Sequence, residues 1–262
     1  MEFRIVLLSL CAFFTPVPTA IAQPVNAAPR CHVGDPSIDW YLSLDESQQA
    51  KFVDQYRQGF SFTYEIARIN LKELFPGPDI VADGRLKSIS SIREKIERKR
   101  AEKKTYRCFR DIGDIIGLRI IVPDYSGLPD IDKAIKSNFV IDKIDNQISS
   151  DQQSEYRAVH YDITLDGRRG ELQVHTRRST LLADVSHKLV YKGPFKDNSQ
   201  VKAYVAALSY AIHELDSSQN KALPDLPDRL PPEAEACFVK LLARLSSLSV
   251  TGPFDSAPVC NN

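Results

Sequence analysis

Asp114, in the run "DIIGLRIIV", and Glu171, in "GELQVHT", are acidic residues set into apolar, strand-forming stretches. Asp114 stands where a helix is expected to run into a strand, and such element ends are where α/β sheets expose reactive groups. If that strand neighbours the segment carrying Glu171, the two carboxylates converge on one cation. Two carboxylates with bridging phosphates are a common way to hold Mg²⁺. Between Arg85 and Arg119 there are 12 Lys or Arg against 5 Asp or Glu, in a chain whose 34 basic and 34 acidic residues otherwise cancel. An anionic partner therefore has a local site, not a global field. Arg85 and Lys87 sit just ahead of a predicted helix, whose free N-terminal amides add positive charge suited to phosphate. The plainer alternatives are a helix cap or an Arg119 pair for Asp114, and a solvated face with internal Glu–Lys and Glu–Arg pairs for "REKIERKRAEKK". The histidines and cysteines lack zinc spacing, and neither a Walker loop nor G-x-S-x-G occurs.

The stretch "AVHYDITLDGRRGELQVHT" (158–176) reads as two strands and a tight turn. Alternation puts Val159, Tyr161, Ile163 and Leu165 on one row with His160, Asp162 and Thr164 on the other; beyond the turn, Leu172 and Val174 oppose Glu171, Gln173 and His175. A type II′ turn at Gly167-Arg168 pairs Asp166 with Arg169. This sets His160 opposite His175, Asp162 opposite Gln173 and Thr164 opposite Glu171, so both polar rows share one face. Antiparallel sheets also tolerate a merely solvated face, which is the other reading.

Apolar spacing from Asp45 to Phe75 predicts one long amphipathic helix, stopped by "FPGPD". A second helix is marked by Ile89, Ile92 and Ile96, with Ser88, Ser90 or Ser91 as N-cap and Ser91 with Glu94 as a capping box. "GLRIIVPDY" and "FVIDKIDNQI" read as strands around a short helix near 129–138, and helices near 178–191, 197–219 and 231–248 follow. "LPDLPDRLPP" is a rigid connector. The order indicates α/β (α+β) architecture with a single mixed, mainly antiparallel sheet flanked by helices.

Residues 1–22 carry Arg4, the apolar run "IVLLSLCAFF" and a small-x-small cleavage pattern at Ala20 and Ala22, as a cleaved secretory signal does. The run is about half the roughly 20 residues a spanning helix needs. Residues 23–38 read as a spacer, 39–222 as the functional domain and 223–262 as a C-terminal connector and helix. The expected location is secreted or periplasmic, with no membrane attachment after cleavage. Cys31, Cys108, Cys237 and Cys260 then remain, an even number that permits two disulfides in three connectivities; buried free thiols are the alternative.

"GRLKSISSIREKI", "DIGDIIGLRIIV", "EYRAVHYDI", "GELQVHT" and "LLADVSHKLVYK", in this order, resemble the RelA/SpoT-type alarmone synthetase domain, chiefly its small single-domain members, over about residues 80–195. The resemblance implies a nucleotidyltransferase-like fold. It also implies transfer of pyrophosphate from ATP to the 3′-hydroxyl of GDP or GTP, giving (p)ppGpp, with Mg²⁺ as cofactor. By the same match, Arg85, Lys87 and Lys95 hold ATP and its phosphates, and Asp114 and Glu171 are the magnesium and catalytic carboxylates. Tyr156 stacks on the acceptor base with His160 beside it. Gln173, His175, His187, Tyr191 and Lys192 occupy flanking motif positions. Two departures stand out: Glu155 replaces the glycine that usually precedes the stacking tyrosine, with no lysine nearby, and His175 stands where an arginine is usual. The signal segment sits oddly with a cytoplasmic activity. The alternatives are therefore a secreted toxin acting on adenosine nucleotides or the tRNA 3′ end, with an immunity protein as partner, or an inactive nucleotide-binding module. A homo-oligomer is a further partner expectation.

Overall fold

The computed structural model describes residues 31, 35–104, 106–148, 155–219, 221–249 and 251–260. The expected signal segment, most of the spacer and the run preceding Glu155 lie outside them. Strand alternation builds the centre. Five strands, β1 (Val81–Leu86), β2 (Ile116–Val122), β3 (Val140–Asn146), β4 (Val159–Leu165) and β5 (Arg168–Thr176), lie in the order β1-β2-β5-β4-β3. Only β2 and β5 run parallel. This is the mixed, mainly antiparallel sheet expected.

One sheet face is apolar throughout: Ile116, Leu118, Ile120, Tyr161, Ile163, Leu172 and Val174 are buried in the main core. Against it pack α2 (Glu46–Gln58), α3 (Ser61–Leu74), α4 (Ile89–Ala101) and α5 (Leu128–Asn138), following a short α1 (Ile38–Leu42). Full burial of each such side chain contributes about 1.5–3 kcal/mol. Two of these helices start where side chains cap them: Asp45 and Gln48 form a reciprocal box at α2, and Ser88 accepts from the Ser91 amide at α4. The α4 cap is thus Ser88, not a Ser91–Glu94 box.

Three expectations need correction. The long helix is two, α2 and α3, broken at Gly59–Phe60, where Phe60 turns into the core under the Arg168 guanidinium. Both helices keep the same apolar spacing because both face one core, so periodicity alone runs straight across the break. Strand β1 was not anticipated. Its Gly84 interrupts the pattern, and it must be glycine: a Cβ there would lie 2.8 Å from Leu118 Cδ2 and 2.9 Å from the Gly117 carbonyl oxygen. Finally, the β4–β5 turn is Asp166-Gly167, both with positive φ (48° and 72°), the type I′ geometry that Asp-Gly favours. Leu165 pairs Arg168, so His160 faces Gln173, Asp162 faces Glu171 and Thr164 faces Arg169. The slip is two residues in total, so parity and the shared polar face survive.

A second core joins α6 (Arg177–Ser186), a π-helical turn (His187–Tyr191), α7 (Ser199–Asp216) and α8 (Pro232–Ser246). Leu223, Leu226 and Leu230 of the proline-rich connector pack into it. Arg177, fully buried, ties this half together: its guanidinium donates to the carbonyls of Asp79, Ser249 and Gly252, with Phe254 beneath it. The disulfides are Cys31–Cys108 and Cys237–Cys260. Among the described residues no helix is long and apolar enough to cross a membrane.

Candidate active site

The second sheet face is polar because of residues placed by parity on four adjacent strands. Register aligns Arg85 of β1 with Gly117 of β2, Glu171 of β5 and Asp162 of β4; the next row is Asp83, Arg119, Gln173 and His160. Gly117 has no side chain to stand between Arg85 and Glu171.

Asp114 joins this face from the loop just before β2. Its Oδ2 accepts from Lys87 Nζ at 2.9 Å and Lys95 Nζ at 2.7 Å. Lys87 arrives there because its own amide continues the β1–β2 ladder to the Ile115 carbonyl, while Arg57 holds its carbonyl. Lys95 comes from the face of α4 near the buried Ile92 and Ile96. Burial pushes the Asp114 carboxyl up, but the Lys95 and Lys87 ammoniums outweigh it and hold the group below its usual range. Lys95 is correspondingly raised despite its own burial, through Asp114 and Tyr106. The partners of Asp114 are thus two lysines, neither a helix cap nor Arg119. Its second oxygen, Oδ1, is buried without a hydrogen-bond partner among the described residues.

Glu171 is held by the hairpin itself. His160 Nδ1 lies 3.0 Å from Oε1, and Gln173 Nε2 donates to Oε2 at 2.6 Å. Burial raises the Glu171 carboxyl; the hydrogen bonds from His160 and Gln173 are among the influences that outweigh this, so it too is lowered, and the Asp114 charge is among those that oppose the lowering. The two carboxylates therefore converge on one side of the sheet, each ionised at neutral pH. An ionised pair with one orphaned, buried oxygen suits a hard divalent cation, which takes oxygen ligands. The donor set fits Mg²⁺.

Arg85 and Arg119 complete the face, and neither makes a hydrogen bond or ion pair among the described residues. Arg119 is half-buried between β1 and β5, lowered first by burial and also by Arg85, with Tyr156, Asp184 and Glu171 opposing. A guanidinium stays charged under such pressure. Two unmatched guanidiniums beside two lysines form a receptor for a multiply charged anion. Sequence reading placed Arg119 only as an Asp114 partner. The available signal was its parity: within "GLRIIV" it shares a face with Gly117, opposite to Leu118 and Ile120.

Tyr156 is folded inward, its hydroxyl 3.1 Å from His160 Nε2 and 3.1 Å from His175 Nε2, and burial raises its pKa strongly. His175 is 2% exposed. Burial first, then the Arg119 charge, keeps it neutral. His187 is exposed on the π-helical turn and lowered by partial burial, then by Lys192 and Arg85. Tyr191 and Lys192 stand further out: Arg98 lies over the Tyr191 ring at 5.4 Å, and Lys192 pairs with Glu94 at 2.5 Å. Arg85, Lys87, Lys95, Asp114, Tyr156, His160, Glu171, Gln173 and His175 are thus gathered at one face, with His187 at its rim and Tyr191 and Lys192 beyond it. Glu155, at the departure before Tyr156, lies 3.8 Å from Lys202 of α7.

Comparison with known proteins fits this geometry. Residues 84–195 match the family model described as the region found in RelA / SpoT proteins. No curated protein matches the chain in sequence. Among solved structures it is similar to small alarmone synthetase 1 from Bacillus subtilis bound to its product pppGpp, with 24% identity, 66% of this chain and 94% of that one covered, and a TM-score of 0.51. A GTP pyrophosphokinase family protein from Streptococcus pneumoniae matches at 23% identity, covering 67% of this chain and 92% of its own, with a TM-score of 0.50. At these identities the likeness carries the fold.

Proposed function

From the premise that residues 84–195 form a RelA/SpoT-type synthetase domain, we propose that this chain is an ATP-dependent pyrophosphotransferase whose acceptor is the 3′-hydroxyl of GDP or GTP, acting as an exported protein. The observation that carries the reading is the single face on which Asp114 and Glu171 stand with Arg85, Lys87, Lys95 and Arg119. Phosphoryl-type transfer depends on positioning and on neutralising charge more than on covalent help, and this face supplies both.

In the proposed reaction the four basic side chains bind the triphosphate of ATP, and Tyr156 with His160 borders the acceptor. The acceptor 3′-oxygen attacks the β-phosphorus, the bond from that phosphorus to the α-bridging oxygen breaks, and AMP leaves. Glu171, ionised and fixed by His160 and Gln173, takes the hydroxyl proton. Mg²⁺, when bound, would be held by Asp114 and Glu171 and would neutralise phosphate charge there. Lys87 and Lys95, which share Asp114 Oδ2, are set to exchange that partner for phosphate.

The test is transfer of label from γ-labelled ATP, with Mg²⁺, to GDP, GTP, AMP, ATP or tRNA offered in turn. The proposal expects labelled guanosine product and AMP in equal amounts. Label moving instead to an adenosine nucleotide or to tRNA would replace the acceptor, and nucleotide binding without any AMP would make the chain a binding module.

A further inference from the structure

We infer that His175 is a positioning residue for the acceptor side of this site, acting through Tyr156 to fix the side chains around Glu171. His175 Nδ1 is buried and has no partner. An orphaned buried N–H is rarer and costlier than a bare ring nitrogen, so the proton belongs on Nε2. That nitrogen has two acceptors in reach, the Tyr156 hydroxyl at 3.1 Å and Gln173 Oε1 at 3.3 Å. With its oxygen accepting from His175, Tyr156 directs its own hydrogen to His160 Nε2, 3.1 Å away. His160 then accepts at Nε2 and carries its proton on Nδ1, facing Glu171 Oε1 at 3.0 Å. Gln173 closes the ring, accepting from His175 through Oε1 and donating to Glu171 through Nε2 at 2.6 Å.

One proton arrangement therefore links five side chains, and it runs in one direction, from a buried imidazole to the carboxylate. The two imidazoles stand nearly perpendicular to the Tyr156 ring, at 76° and 75°, with centroids 5.6 and 5.5 Å away, and brace it on its hydroxyl end. Among the described residues the hydrogen bonds of His175 run to Tyr156 and Gln173 and none reaches Arg85, Lys87, Lys95 or Arg119, so the influence proposed for it belongs to the acceptor and to Glu171.

The kinetic arm of the test rests on the proposed reaction; the spectroscopic arm does not. Two-bond ¹⁵N imidazole spectra of the intact protein at pH 7.5 should show the Nε2–H tautomer for His175 and the Nδ1–H tautomer for His160; the opposite tautomer at either ring overturns the inference. In turnover, His175→Leu, which keeps an apolar volume and removes the donor to the Tyr156 hydroxyl and Gln173 Oε1, should raise the acceptor KM by about tenfold, the worth of one hydrogen bond. It should leave the ATP KM and the melting temperature near wild type. His175→Gln, whose amide offers a donor in the same place, should restore most of the loss. Tyr156→Phe should reproduce the Leu variant, and the double variant should be no worse than either single one. Unchanged acceptor KM, or effects that multiply, would show His175 to be packing alone. A wild-type protein that transfers nothing would count against the proposed reaction, while the tautomers would still decide this inference.

Discussion

Replacing Asp114 by Asn tests the electrostatic core of the site without any substrate. Lys87 and Lys95 place their ammoniums 2.9 and 2.7 Å from the same carboxylate oxygen, so the two charges lie at most about 5.6 Å apart. In the wild type the carboxylate offsets that proximity. In Asp114→Asn it does not, and at an effective dielectric near 20 two like charges at that distance repel by about 3 kcal/mol. All three side chains keep about a fifth of their surface in water, which lets the lysines swing outward and reduces the net loss to about 2 kcal/mol. For a chain of this size that is a fall in melting temperature of roughly 4–8 °C. Lys95→Met alone leaves Asp114 with Lys87 and should cost about 1 kcal/mol. Adding Lys95→Met to Asp114→Asn removes the repulsion, so the double variant should be more stable than Asp114→Asn alone, with a coupling of about 2 kcal/mol. Urea unfolding of the four proteins in low salt measures this cycle. Additive losses would refute the shared-oxygen arrangement and, with it, the account of how Asp114 is kept ionised.

Three further outcomes follow from other parts of the molecule. Glu171→Gln should lower kcat by roughly 10²–10⁴-fold, the usual weight of a positioned proton acceptor, with melting temperature little changed; near-normal turnover would remove Glu171 from its role. Folded, His175 stays neutral with its single proton on Nε2; once unfolded it takes up a second below its ordinary pKa of 6.5. Its contribution to stability is thus complete above that pH and declines as pH falls below it, by about 1.4 kcal/mol per unit, so unfolding curves at pH 7 and 5 should separate less in His175→Leu than in wild type. Gly167→Val, at φ 72° in the hairpin turn, should cost about 1–2 kcal/mol, read as a lower urea midpoint with an unchanged slope.

The polar face was legible because alternation is a short-range signal: the side of a strand on which Glu171, Gln173 and His160 fall follows from parity and survives an error in the turn. The turn itself was not decidable by parity, since Asp166-Gly167 and Gly167-Arg168 leave the same residues on the same face; only the preference of Asp-Gly for positive φ at both positions separates them. Asp114 and Glu171 were recognisable as carboxylates needing a reason, but the two lysines sharing one oxygen depend on where β1 docks. That strand was hidden by Gly84, which close packing against Leu118 demands and strand propensity disfavours. Arg119 shows the converse. Its type and position were visible, while its lack of a partner is a property of the assembled sheet alone. The contacts of Arg177 with Asp79, Ser249 and Gly252 span 72 to 98 residues, beyond any local pattern.

That buried guanidinium also dictates a sequence of events. A polypeptide emerging from a ribosome reaches position 177 long before positions 249 and 252, whose carbonyls must solvate the charge once water is gone. Until they arrive, α6 cannot seat itself without stranding a cation in apolar surroundings, so the second core waits. The main core, whose buried residues end at Val174, does not depend on those carbonyls, so the two cores close in order.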